Sequence, residues 1–134
     1  MPTSKLILRM MEGLELPGIS SDYHFVIQGC VEALWGRRRD EPEVFETVET
    51  LCWLDIRLIE ARPDTITNEF GEKPSFYRVS AFGRLVELYE REGFLREALE
   101  VARRAAVFDQ GQAHIERLEA RIAALETEYA GADG

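Results

Sequence analysis

The stretch from Val79 to Gln112 constrains the fold of this chain most, because its apolar residues recur at helical spacing on both sides of one glycine. Before the glycine, four residues at i, i+3, i+4 and i+7 share one helical face: Phe82, Leu85, Val86 and Tyr89. Gly93 then interrupts the pattern, since glycine adopts left-handed dihedrals without steric cost. After it, small residues recur at spacings of four and three: Ala98, Ala102 and Ala105. The sequence therefore predicts two helices joined by a tight turn and packed through an alanine stripe.

This spacing resembles one repeat of the tetratricopeptide family, a helical hairpin of about 34 residues. The resemblance covers residues 79–112, about a quarter of the chain. The chain departs from the family signature where Phe82 replaces Trp, Val86 a small residue, Ala102 an aromatic residue and Gln110 the late proline. A shift by one repeat length in either direction gives no second full match. The resemblance implies a small all-α superhelix of stacked hairpins, in which flanking helices or another chain cover the remaining apolar face.

Helical periodicity along the rest of the chain predicts about six helices, no strand, and one domain over residues 1–134. The first helix is expected at about residues 4–14, the third at about 43–61 and the last at about 112–129. Between the third helix and the hairpin, residues 62–75 are rich in turn-forming residues and show no helical pattern. A segment of this length is either a functional loop or a bridge between distant helices.

Composition and charge narrow the classes of partner. The net charge is −9, and residues 41–75 account for most of it, with nine acidic and three basic side chains. Such a balance argues against binding to a nucleic-acid backbone and favours a basic protein partner. No apolar run approaches the roughly 20 residues needed to span a bilayer, and the first residues lack the blocks of a signal peptide. We therefore expect a cytoplasmic protein with no membrane association, in which Cys30 and Cys52 are free thiols in apolar helical stretches.

The side chains that could carry chemistry form no recognisable catalytic pattern. His24 and His114 have no Cys, Asp or Glu at a ligand spacing, and neither a phosphate-binding glycine loop nor a nucleophile elbow is present. Asp55 is the unusual carboxylate, because it shares a helical face with apolar residues such as Leu51 and Ile59. We expect it to pair with an arginine of a neighbouring helix or to lie at the edge of that face. The sequence thus predicts a protein that is not an enzyme and that uses no metal and no cofactor.

In the family that residues 79–112 resemble, a ligand groove is lined by the first helix of each hairpin. The resemblance implies that the corresponding partner-binding positions here are Ser80, Arg84, Glu87 and Arg91. Either arginine could contact a carboxylate of a peptide through two parallel hydrogen bonds. The alternative is a solvated helix face whose charges pair locally, as Glu87 and Arg91 would at i and i+4.

The predicted last helix offers a second interaction surface. Its apolar residues alternate at spacings of three and four, as in the seam of a coiled coil: Ile115, Leu118, Ile122, Leu125 and Tyr129. This seam could pair with a second copy in a homodimer, or it could cap the alanine stripe of the hairpin. The favoured function is an adaptor or scaffold that binds a protein or peptide segment through a helical-repeat groove. The alternative is a structural or regulatory subunit whose homo-oligomeric assembly through the last helix is the function.

Overall fold

The structure, a computed structural model, describes residues 1–132 and consists almost entirely of α-helices, which confirms the all-α prediction. The six α-helices of this part of the chain are α1 (Thr3–Glu15), α2 (Ser20–Trp35), α3 (Val44–Ala61), α4 (Ser80–Arg91), α5 (Leu95–Ala106) and α6 (Gln112–Ala132). The superhelical arrangement of the tetratricopeptide family stays a prediction.

The contacts of the chain define two compact units, and the boundary falls inside α4, after Arg84. In unit 1, which ends at Arg84, α2 contacts both α1 and α3. The core of unit 1 contains apolar side chains from α2 and α3 that are fully buried, namely Leu34, Val48, Ile56 and Ile59. Unit 2 begins at Leu85 and contains the end of α4 together with α5 and α6. The prediction of a single domain stays a prediction, because compactness alone does not test whether the units fold independently.

The turn between α4 and α5 has the geometry that the glycine predicts. Gly93 has a φ of +84°, its N–H donates to the carbonyl of Glu90 at 3.1 Å, and the N–H of Phe94 donates to the carbonyl of Tyr89 at 2.8 Å. This pair of bonds is a Schellman motif, which satisfies carbonyls that the helix end leaves without partners. The rings of Tyr89 and Phe94 also lie 6.5 Å apart, which supplies the apolar contact that accompanies the motif.

Helix α6 runs antiparallel to α5, as two ion pairs show: Arg103 lies 3.4 Å from Glu119 and Arg96 lies 2.7 Å from Glu126. The alanine stripe of α5 is buried, and the chain that leads into α6 passes close to it. A Cβ added at Gly111, whose φ is +82°, would lie 3.0 Å from the carbonyl oxygen of Ala102 and 3.0 Å from the Cβ of Ala105. This position therefore requires glycine on two grounds, its backbone dihedral and its close approach to α5.

The segment 62–75 contains more regular structure than the sequence predicts. A 3-10 helix spans Pro63–Ile66, and strand β1 (Thr67–Asn68) pairs antiparallel with strand β2 (Ser75–Phe76), so the prediction of no strand is wrong at this point. Each strand is only two residues long, too short for the alternation of apolar and polar residues that reveals strands in a sequence. Thr65 and Ile66 are buried in unit 1, whereas Phe70 is 88% exposed at the tip between the strands.

Candidate functional site

The predicted partner-binding residues on α4 divide into two pairs. Ser80 and Arg84 are half-buried against α2 within unit 1, whereas Glu87 and Arg91 are exposed. The backbone N–H of Ser80 donates to Oε1 of Gln28 at 3.0 Å. The structure thus places only part of the predicted surface in contact with solvent, and its role in binding a partner stays a prediction.

Arg84 makes a bidentate contact of the kind expected with a peptide carboxylate, but the carboxylate belongs to the chain itself. Its Nε and Nη2 atoms donate to the two carboxylate oxygens of Glu32 at 3.1 and 2.7 Å, and its guanidinium lies 5.1 Å from the centre of the Trp35 ring. The hydrogen bond from Arg84 holds the pKa of Glu32 below its ordinary value, against the effect of burial and with a further hydrogen bond from Ser80. A partner carboxylate would have to displace Glu32 to reach this arginine.

The residues of the predicted self-association seam of α6 differ in how deeply they are buried. Leu118 is completely buried, Ile115 and Ile122 are half-buried, and Leu125 is 48% exposed. Because α6 lies along α5, the first part of the seam is covered within unit 2 and the last part is not. Homodimerisation through these residues stays a prediction.

Where the seam becomes exposed, a groove of about 550 Å³ opens in unit 2. We call it the α6 groove and define it by six lining residues: Gly93, Phe94, Leu95, Ile122, Leu125 and Tyr129. Phe94 is 53% exposed and Tyr129 is 74% exposed, so two aromatic rings and Leu125 present apolar surface to solvent. The Schellman motif fixes the backbone that carries Phe94, and α6 carries the opposite wall. Exposed apolar side chains gathered in a groove are typical of protein-binding sites.

Charged side chains surround the α6 groove. Arg96 and Glu126, which both line it, are paired across its rim at 2.7 Å. Three further exposed carboxylates make no salt bridge in the part of the chain that the structure describes: Glu97, which lines the groove, and Glu92 and Glu128, which are next in sequence to the lining residues Gly93 and Tyr129. Residues 91–97 and 122–131 together contain four acidic side chains and two basic ones, Arg91 and Arg96, so these segments carry a net negative charge.

A smaller apolar cleft of about 240 Å³ lies in unit 1, among α1, α2 and α3. It is lined by Leu14, Tyr23, Ile27, Leu54 and Leu58. Ile27 is buried and Leu54 is 45% exposed, so this cleft offers less exposed apolar surface than the α6 groove.

The core of unit 1 contains a pair of ionisable side chains. Nδ1 of His24 on α2 lies 2.7 Å from Oδ1 of Asp55 on α3, and the two side chains are 0% and 1% exposed. The other polar atoms of the pair, Nε2 of His24 and Oδ2 of Asp55, have no hydrogen-bond partner among the described residues. A buried polar pair with open hydrogen-bonding positions is costly to disturb, because neither partner can turn to water.

Burial controls the chemistry of this pair and of the thiol beside it. Burial raises the pKa of Asp55, although the hydrogen bond and charge of His24 act in the opposite direction. Burial also raises the pKa of the Cys52 thiol to about 12, and the nearby Asp55 carboxylate contributes. A thiol with such a pKa stays protonated near neutral pH and is a poor nucleophile. A substrate could reach the pair only after α2 and α3 opened locally.

The expectation that Asp55 pairs with an arginine or lies at the edge of its helical face is wrong, since it is 1% exposed and its partner is His24. The two residues are 31 positions apart, and only the packing of α2 against α3 joins them. One signal was available in the sequence, because His24 lies three positions before Ile27 on the apolar face of its helix. Two polar residues on apolar faces of neighbouring helices are candidates to satisfy each other.

Comparison of the chain with protein families, curated proteins and solved structures gives no match. Among residues 1–132, no group of three or more His, Cys, Asp and Glu side chains is placed to hold a metal ion. None of the helices in this range combines the length and apolar character needed to cross a bilayer.

Proposed function

We propose that this chain is a protein-interaction module, an adaptor of tetratricopeptide-like type, that binds a segment of another protein in the α6 groove. The observation that carries the proposal is the groove itself, where Phe94, Leu125 and Tyr129 present apolar surface around about 550 Å³. Aromatic side chains are the commonest anchors of protein interfaces, because they bury a large area while losing little conformational freedom.

The α6 groove is a better binding surface than the predicted charged face of α4. Arg84 already holds Glu32 with both hydrogen bonds, so its use by a partner would require the loss of that pair. Phe94 and Tyr129 gain burial when a partner covers them, at roughly 25 cal/mol for each Å² of apolar surface. The free energy balance therefore favours a partner at the groove. We propose the cytoplasm as its compartment, in keeping with the free thiols of Cys30 and Cys52.

Homo-oligomeric assembly is the second candidate function. The exposure of Leu125 and Tyr129 favours it, because both belong to the predicted seam and neither is covered by α5. The two candidates differ in what occupies the same groove, a different protein or a second copy.

Site-directed photo-crosslinking in the native cells tests the proposal. A photoreactive phenylalanine analogue replaces Tyr129 in the groove, Glu87 on α4, or Val107 as a control. Val107 is 72% exposed and directly follows the last residue of α5, about 18 Å along the helix from the groove residue Leu95. We expect an adduct with a different protein from position 129 and none from position 107.

The captured protein is then identified, purified and titrated with the wild type and with Leu125→Asp. We expect at least a ten-fold loss of affinity, or about 1.4 kcal/mol, because a carboxylate would be buried against the partner's apolar surface. Adducts only from position 87 would place the site on α4 and contradict the proposal. Adducts only between copies of this chain would establish assembly as the function.

A further inference from the structure

We infer that the occupant of the α6 groove is an amphipathic helix of a partner protein, with an apolar face flanked by lysine or arginine. This inference rests on the proposed function and adds the chemistry of the partner. It depends on the charges around the groove and on the state of the backbone groups that line it.

The charges at the groove select a basic partner. Glu126 is neutralised by Arg96, whereas three exposed carboxylates in or beside the groove make no salt bridge among residues 1–132: Glu92, Glu97 and Glu128. A lysine or arginine beside the partner's apolar face would lie within reach of these carboxylates. The net charge of −9 adds a long-range attraction that speeds the encounter with a basic partner.

The same charges disfavour a second copy of this chain. A symmetric contact between two α6 grooves would bring Glu97 and Glu128 of one copy toward the same residues of the other. Each copy also carries a net charge of −9, so the long-range interaction between copies is repulsive. A heteromeric partner with the opposite charge meets neither cost.

The backbone of the groove favours a helix over an extended segment. Extended peptides gain affinity by pairing their backbone with an open strand edge, which the groove does not offer. Its walls are helices, and in the turn the N–H groups of Gly93 and Phe94 already donate to Glu90 and Tyr89. A helix satisfies its own backbone groups, so it can enter such a groove without leaving them unpaired. The lined part of α6 from Ile122 to Ala130 is about 12 Å long, which corresponds to rather more than two helical turns.

A displayed library of helical peptides tests the inference. The peptides share leucine and phenylalanine at i, i+3, i+4 and i+7, and their flanking positions vary among Lys, Gln and Glu. Selection against the whole wild-type chain is followed by counter-selection against Leu125→Asp, which changes a side chain that is 48% exposed. Tyr129→Ser, at a position that is 74% exposed, provides a second groove variant if the first fails to fold.

We expect the peptides that depend on the groove to be enriched in lysine at the flanking positions. A selected peptide should bind at least ten-fold more weakly when its lysines become glutamates, and its affinity should fall as salt concentration rises. The double variant Glu97→Lys, Glu128→Lys should reverse the preference for lysine. The double variant Glu46→Lys, Glu100→Lys changes the net charge equally at two exposed positions that do not line the groove, and it serves as the matched control.

Two results would overturn the inference while leaving the proposed function in place. Groove-dependent peptides with no lysine preference would contradict the basic partner, and a wild-type dimer lost in Leu125→Asp on sedimentation would make a second copy the occupant. If no selected peptide distinguishes the wild type from both groove variants, the proposed function fails as well.

Discussion

The two compact units of this chain place their polar groups in opposite ways. The buried polar side chains among the described residues, His24, Asp55 and Thr65, all lie in unit 1. In unit 2, by contrast, the carboxylate of Glu90 meets Arg117 at 2.8 Å and Arg121 at 3.2 Å on the surface. The core of unit 1 therefore depends on a specific polar pair, whereas the core of unit 2 is apolar.

This difference has consequences for tolerance to change. Removal of one member of a buried polar pair strongly destabilises the folded protein, because the other member stays buried without a partner. Surface ion pairs contribute little, since water replaces a lost partner. Unit 2 exposes Phe94 and Tyr129 beside a core that is apolar among the described residues.

Replacing His24 with leucine should have the largest effect. The change leaves the carboxylate of Asp55 buried and unpaired, so we expect a loss of about 3–5 kcal/mol in the free energy of unfolding. Urea unfolding of the whole chain measures it. The double variant His24→Leu, Asp55→Leu should recover most of the loss, because an apolar pair replaces the polar one. Equal losses in the single and double variants would show that space, rather than the unpaired carboxylate, sets the cost.

In unit 2 the most sensitive position should be a backbone one. Gly111→Ala forces a left-handed dihedral on alanine, at about 1–2 kcal/mol, and adds a Cβ at 3.0 Å from Ala102 and Ala105. Gly93→Ala has a similar φ of +84° but an open environment, so it should cost only the dihedral part. Thermal unfolding of the two variants compares them. If both cost the same, the close approach of Gly111 to α5 does not occur.

Weakening the surface ion pairs of Glu90 in unit 2 should lower the free energy of unfolding by a smaller amount. Glu90→Gln weakens its contacts with Arg117 and Arg121, and we expect a loss of about 0.5–1 kcal/mol that shrinks in high salt. Urea unfolding at two salt concentrations measures it. A loss as large as that of His24→Leu would remove the contrast between the two units.

The pH dependence should have opposite signs in the two units. Burial raises the pKa of Asp55 above its ordinary 3.8, so the folded state binds the carboxyl proton more tightly than the unfolded state does. The free energy of unfolding therefore falls as pH rises from 3.8 through the raised pKa. The hydrogen bond from Arg117 lowers the pKa of Glu90 below its ordinary 4.5, so its contribution is present above that value and is lost as pH falls.

Variants that cannot titrate separate these two contributions. Asp55→Asn should cost more stability at about pH 3 than at about pH 7, whereas Glu90→Gln should cost more at about pH 7 than at about pH 3. Urea unfolding of each variant beside the wild type, at both pH values, gives the two differences. The same sign for both variants would contradict the assignment of a buried carboxyl to unit 1 and a stabilised surface carboxylate to unit 2.

Local patterns in the sequence were enough to predict the helices. The spacing from Phe82 to Tyr89 and the break at Gly93 specify α4, its Schellman turn and the start of α5, because these features depend on residues close in the chain. The short strands of residues 67–76 were missed, since two residues carry no period. The predicted termini of α1, α3 and α6 agree with the structure to within about three residues.

The candidate sites depend on contacts between distant residues, which one sequence does not reveal. Glu32 lies 52 positions before Arg84 in the sequence. It accepts the two hydrogen bonds that we expected Arg84 to donate to a carboxylate of a partner. Phe94 and Tyr129 line one groove only because α6 packs antiparallel to α5 and leaves its last turns uncovered. Leu125 and Tyr129 could be predicted as apolar surface, but their groove could not.

Amide NMR spectra of the whole chain test whether the proposed partner binds unit 2 at the α6 groove. The labelled protein is titrated with the segment of the partner that photo-crosslinking captures at position 129. We expect the largest shift changes in residues 91–97 and 122–131, and small changes around His24 and Asp55. The largest changes at residues 28–35 and 80–84, or around Leu54, would place the binding surface in unit 1 and exclude the α6 groove.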